Sequence, residues 1–182
     1  MKTTLGLFIA IAMIATGLMA CSKNDTSTPA SSDTGSFTER GAAFTVPTGT
    51  TYSQYINDGS TQNQLAVEGF TKDNKRAIVS IGFYGKSKPA AGSYKIVDGV
   101  AGLSAANQIS VAVIDSLSVS QQGFLISTDN SSPATIAIDG SGKISVTLPS
   151  TTIKGNNNDW TNPSSAVSTT VTTTISGTIK QQ

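Results

Sequence analysis

The 182-residue chain contains no histidine and a single cysteine, and only 13% of its residues are charged. Each scarcity removes a class of function. Without imidazole there is no Ser-His-Asp or Cys-His nucleophilic centre, and the commonest general base and zinc ligand are missing. A lone thiol forms no disulfide within the chain. The twelve basic residues are scattered, with no run longer than Lys75-Arg76, so the positive patch that nucleic acid requires is missing and no such partner is expected. Glutamate occurs twice, at Glu39 and Glu68, which leaves little for paired-carboxylate hydrolysis. Most aspartates stand in turn dipeptides such as Asp58-Gly59, Asp73-Asn74 and Asp139-Gly140. Glu68 and Asp115 fall within strand-like runs, where solvent-facing positions account for them. No enzyme activity and no cofactor are expected. "DGSG" (Asp139–Gly142) and "NNND" (Asn156–Asp159) gather oxygen ligands without the spacing of a calcium loop, so no metal is expected either.

What is present at the N-terminus is a transport signal. Lys2 precedes sixteen mostly apolar residues, Leu5–Ala20. This basic start, apolar stretch and small residue before a cut site describe a cleaved secretory signal, residues 1–20, which is short for a permanent span. The run ends in "LMAC", Leu18–Cys21, which resembles the bacterial lipobox. That resemblance implies a diacylglyceryl group on Cys21, cleavage before it, and an anchor in the membrane. Several buried acyl chains hold firmly where one holds reversibly. The residues that follow, Ser22, Lys23, Asn24 and Asp25, resemble the charged export signal of surface lipoproteins in Bacteroidota. The expected location is therefore the outer membrane, on the cell surface, with the periplasmic leaflet as the alternative.

Residues 21–36 hold the lipidated cysteine and a Ser/Thr-rich tether without a large apolar side chain, which cannot offset the cost of ordering. Loss of Lys2 with the signal leaves eleven bases against eleven acids, so the mature chain is formally neutral.

Residues 37–182 read as strands. "LAVEGF" (Leu65–Phe70), "RAIVSIGF" (Arg76–Phe83) and "GSYKIV" (Gly92–Val97) are bounded by turn residues, and "TKDNK" (Thr71–Lys75) reads as a hairpin turn. Ile109, Val111 and Val113 share one face, as do Ile144, Val146 and Leu148. In the last run Val171, Thr173, Ile175 and Ile179 oppose Thr172, Thr174, Ser176, Thr178 and Lys180. The chain is expected to be all-β, an antiparallel sandwich of about 8–10 strands; the uneven spacings favour this over an up-and-down barrel. The strands "FTERGAAF", "LAVEGF", "AIVSIGF", "PAAGSYKI" and "ISGTIK" together resemble small β-sandwich lipoproteins of Bacteroidota, a resemblance that implies fold and anchoring but no catalytic residues.

Two aromatic groups are candidates for ligand contact. In "KGNNNDWTNPSS", read as a loop, Trp160 offers a platform for a sugar ring, with Asn157, Asn158 and Asp159 as hydrogen-bonding partners; packing over the end of the domain is the competing reading. Tyr52 and Tyr55 lie in a Ser/Thr/Gln-rich stretch that suits either a binding loop or edge packing. "DSL" (Asp115–Leu117) resembles a Bacteroidota O-glycosylation acceptor, with Ser116 as the attachment point. The functional expectation is a non-catalytic binding module for a glycan or other extracellular ligand. The alternative is an assembly partner that offers a sheet edge to an envelope protein.

Overall fold

The computed structural model describes residues 35–49, 52, 54–56, 62–118, 121–159 and 167–182. Eleven strands follow one another: β1 (Ser36–Glu39), β2 (Ala42–Thr45), β3 (Gln54–Ile56), β4 (Gln62–Phe70), β5 (Arg76–Tyr84), β6 (Gly92–Ile96), β7 (Gln108–Ser118), β8 (Gln121–Ser127), β9 (Ala134–Ile138), β10 (Ile144–Asp159) and β11 (Val167–Lys180). Among the described residues there is no helix, and the all-β expectation holds.

All eleven strands belong to one sheet, which curls into a ring. Its path runs β11-β1-β2-β4-β5-β7 and returns through β8 to β10, and β10 pairs with β11 to bring the two ends together. The strands β7 and β10 are long enough to hold different neighbours along their length. β8 fills the space between them at one end; β6 and β9 fill it at the other. Among the described strands only the β6–β7 pair is parallel.

Period-two alternation explains why the ring closes. Val79, Ile81, Val111, Val113, Ile144 and Ile153 all turn inward and are fully or almost fully buried. β-branched side chains suit such a pleated wall, and a single sheet bent round itself buries what two facing sheets would. Phe37 and Phe44 stack 4.9 Å apart within this core. Pro149 has no N–H for the ladder, and the register shifts between Leu148 and Thr151 to accommodate it.

The turns behave as their residues dictate. Asn74 takes the left-handed conformation (φ 63) in the Thr71–Lys75 hairpin, and Thr71 N–H donates to Lys75 O at 2.9 Å. Asp139 accepts from Ser141 N–H at 2.8 Å and Lys143 N–H at 2.9 Å. Its carboxylate is held below the ordinary range by the Ser141 hydroxyl first and the Lys143 amide next. "DGSG" is thus a tight turn whose aspartate is already engaged.

The ring has two distinct ends. At one, β1 begins: Ser36 pairs with Thr178, and the Asp139–Lys143 turn leads into Ile144, whose carbonyl receives Gln181 N–H at 2.8 Å. At the other, β10 and β11 continue past β1 to the Asp159–Val167 pair. From Thr178 to Val167 at about 3.3 Å per residue, the two ends lie roughly 35 Å apart along β11.

Candidate functional site

The distal end holds the densest polar cluster of the interior. Glu39 follows Phe37 on the inward face of β1, and Asp115 follows Ile109, Val111 and Val113 on the inward face of β7. Both carboxyls are buried, each residue only 2% exposed. The chain then turns sharply at Arg40 (φ 51) and Gly41 (φ 76) to begin β2. This left-handed corner swings the Arg40 side chain inward instead of out along the strand. Its Nε lies 2.9 Å from Glu39 Oε1 and 2.7 Å from Asp115 Oδ2, and its Nη2 donates to Asn157 Oδ1 at 2.6 Å. One guanidinium therefore serves two acids and an amide from three separate strands.

Glycine makes the space. A Cβ on Gly123 would stand 2.0 Å from Asp115 Oδ1 and 2.8 Å from Arg40 Nη2, so β8 can cross the cluster only without a side chain there. Next to it, Gln121 Nε2 donates to Asp159 Oδ2 at 2.6 Å.

Burial is the main reason that the Glu39 carboxyl is raised from 4.5 to about 7; the Asp115 charge adds to the rise, and Arg40 opposes it. Two buried carboxylates on one guanidinium would leave a negative charge inside the ring, so a proton on Glu39 is favoured. Among the described residues no three acidic side chains group as a metal site. What the arrangement does chemically is hold a proton and clamp three strands together.

The candidates from sequence are distributed differently. "NNND" is not a loop: Asn156, Asn157, Asn158 and Asp159 are strand residues of β10, paired with β8 on one side and β11 on the other. Ladders on both sides override the turn preference of asparagine. Asn157 and Asp159 turn inward to Arg40 and Gln121, which leaves only the opposite face, with Asn156 and Asn158, for a ligand. Trp160 lies outside the described residues, as do Cys21, Ser22, Lys23, Asn24 and Asp25.

Tyr55 packs against the core, its ring 6.4 Å from that of Phe83 and the Lys88 ammonium 5.7 Å from its centroid. Burial raises its phenol above the ordinary value, with Asn63 pulling the other way. Tyr52 is half-buried, three residues before Tyr55. Ser116 is half-buried in β7, paired with Arg76 and Gln122. The Asp115 that precedes it in "DSL" points into the ring.

Two carboxylates depart from the solvent-facing positions expected for them. Asp115 is interior, because it continues the Ile109–Val113 face. Glu68 is on the outward face yet only 6% exposed, with Arg76 Nε 3.3 Å from its Oε1. Its carboxyl is raised by burial, against the pull of Arg76.

No protein-family model matches this chain, and no curated protein and no solved structure matches it either. The residues missed by reading the sequence are Glu39 and Arg40. Glu39 was visible as the inward partner of Phe37, two positions on. Arg40 was not, because its direction depends on a backbone corner.

Proposed function

We propose that this chain is a lipid-anchored, non-catalytic protein of the cell envelope, of the small β-sandwich lipoprotein kind that its sequence resembles. Cys21 carries the lipid, and the outer surface of the cell is where the domain works. The observation that carries the reading is the placement of β1. The chain enters the ring at the Ser36–Thr178 end, the end nearer the proposed anchor, which leaves the Asp159–Val167 end available to a partner.

Among the described residues that end has a sheet edge without a neighbouring strand, which favours an assembly partner over a glycan. β1 covers β11 only from Ile175 to Thr178. Among the described residues no strand lies beside Val167–Thr173 on the side away from β10. Arg40 N–H donates to Thr174 O at 3.4 Å across that side, so alternation turns the amides and carbonyls of Ser168, Thr170 and Thr172 the same way. The stretch holds no charge, proline or bulge, the usual devices against pairing. An extended segment of a second envelope protein would add there as a strand.

A glycan remains the second reading. Asn156 and Thr170, whose hydroxyl donates to Asn156 Oδ1 at 3.3 Å, present exposed polar groups on the outer face.

Thr170→Pro separates the two. It removes an N–H from the open side and none from the β10 ladder, so the change in stability should stay within about 1 kcal/mol. With a photoreactive side chain at Thr172 in intact cells, a discrete protein adduct should form, and T170P should abolish it. An adduct that persists in T170P, or glycan retention unaffected by it with no protein adduct at all, contradicts edge pairing.

A further inference from the structure

We infer that Glu39, Arg40 and Asp115 form a proton-operated clasp that fastens the β1–β2 tip to the inside of the ring. The inference begins with a donor that is missing. Both Asp115 oxygens are buried and neither receives a well-aligned hydrogen bond, although Arg40 Nε lies 2.7 Å from Oδ2. Glu39 lies within hydrogen-bonding reach of Asp115. A carboxylic acid proton on Glu39 supplies the donor that Asp115 lacks, and leaves one anion facing one guanidinium.

The surroundings offer nothing else that could compensate. β8 contributes Gly123, β10 contributes Asn157, and β11 contributes Ile175 opposite Glu39; none is ionisable. β5 sets Ala77 beside Asp115, and β2 sets Ala42 beside Glu39. Among the described residues the other charged groups at this end are Asp159, engaged by Gln121 and itself an acid, the Arg76–Glu68 pair on the outward face beside Ser116, and the exposed Lys75–Asp73 pair of the hairpin. Residues 160–166 and 117–120 contain no titratable side chain. Release of the Glu39 proton to water therefore leaves two buried carboxylates on one guanidinium.

Since Glu39 is raised to about 7 by burial and then by Asp115, the folded chain keeps a proton that the unfolded chain gives up above about 4.5. The stabilisation is complete below that value and is lost as pH rises towards 7. In that window the unfolding equilibrium constant should grow by up to tenfold per pH unit. The tip should loosen with it. Arg40 N–H, bonded to Thr174 O where the open edge of β11 begins, should exchange faster above pH 7 than base catalysis alone explains.

Glutamate occurs only at Glu39 and Glu68, which makes the test direct. In the mature protein in detergent, labelled with 13C at the glutamate side-chain carboxyl, two signals titrate, and Glu68→Gln assigns them. The Glu39 signal should titrate near pH 7, and Asp115→Asn should move it down by a unit or more. Glu39→Gln should flatten the pH dependence of unfolding that remains in E68Q. A Glu39 signal that titrates below pH 5, or one that does not move in D115N, overturns the clasp. The titration near pH 7 is read on folded wild-type protein; folded E68Q is needed only for the assignment, and folded D115N only for the coupling.

Discussion

Arg40→Asn should lower the stability of the domain at pH 8 by about 3 kcal/mol, or roughly 10 °C in unfolding midpoint for a domain of this size. Asparagine is the right replacement because it tolerates the left-handed backbone at this position (φ 51), so the loss reports the charge and not the corner. Removing one partner from a buried ion pair costs more than the pair is worth, because the other charge stays buried without compensation. Here two carboxyls, Glu39 and Asp115, lose the same guanidinium, and Asn157 loses its donor. The deficit should shrink towards pH 5, since Glu39, raised to about 7 chiefly by burial, then holds its proton inside the ring. Thermal unfolding followed by circular dichroism at pH 5 and pH 8 measures it. A loss below about 1 kcal/mol at both values would mean that the cluster behaves like an exposed ion pair.

Gly155→Ala should destabilise by about as much, for a reason unrelated to charge. A Cβ there would stand 1.9 Å from the carbonyl oxygen of Phe124 and 2.9 Å from the Leu125 Cα. These are backbone atoms of β8 and cannot rotate aside. The two strands would have to separate at Leu125, a fully buried residue beside Ile153 in the ring wall. Denaturant titration should show a lower midpoint. Slower-migrating oligomers should appear as well if β8 leaves its place and exposes the edge of β10. An unchanged midpoint would show that β8 and β10 are not held this closely.

Much of the wall was legible from alternation. Ile144, Val146 and Leu148 are inward as their spacing demands, and so are Ile175 and Ile179. The turn at Thr71–Lys75 was legible too, because Asn74 is one of few residues that enter the left-handed region at little cost. Closure into a ring was not, since it depends on β11 pairing with β1 and β10 together, contacts far apart in sequence that no local pattern encodes. β10 runs on through three asparagines because ladders on both sides supply what propensity withholds. Asp115 could have been placed inside by extending the Ile109–Val113 face by one step. Its polarity argued for solvent, and only the Arg40 corner, a tertiary feature, makes an interior acid tolerable.

The claim on which the functional account stands is that the ring hangs from lipid on a sulfur atom fourteen residues before its first described residue. Intact-mass spectrometry of the protein extracted from membranes with detergent tests it most directly. The account predicts a chain that starts at Cys21 and carries a diacylglyceryl group on Sγ and an acyl group on the new amine, with Cys21→Ser released from the membrane fraction. A mature chain that starts at any other residue, or a Cys21 that bears a free thiol, would contradict it.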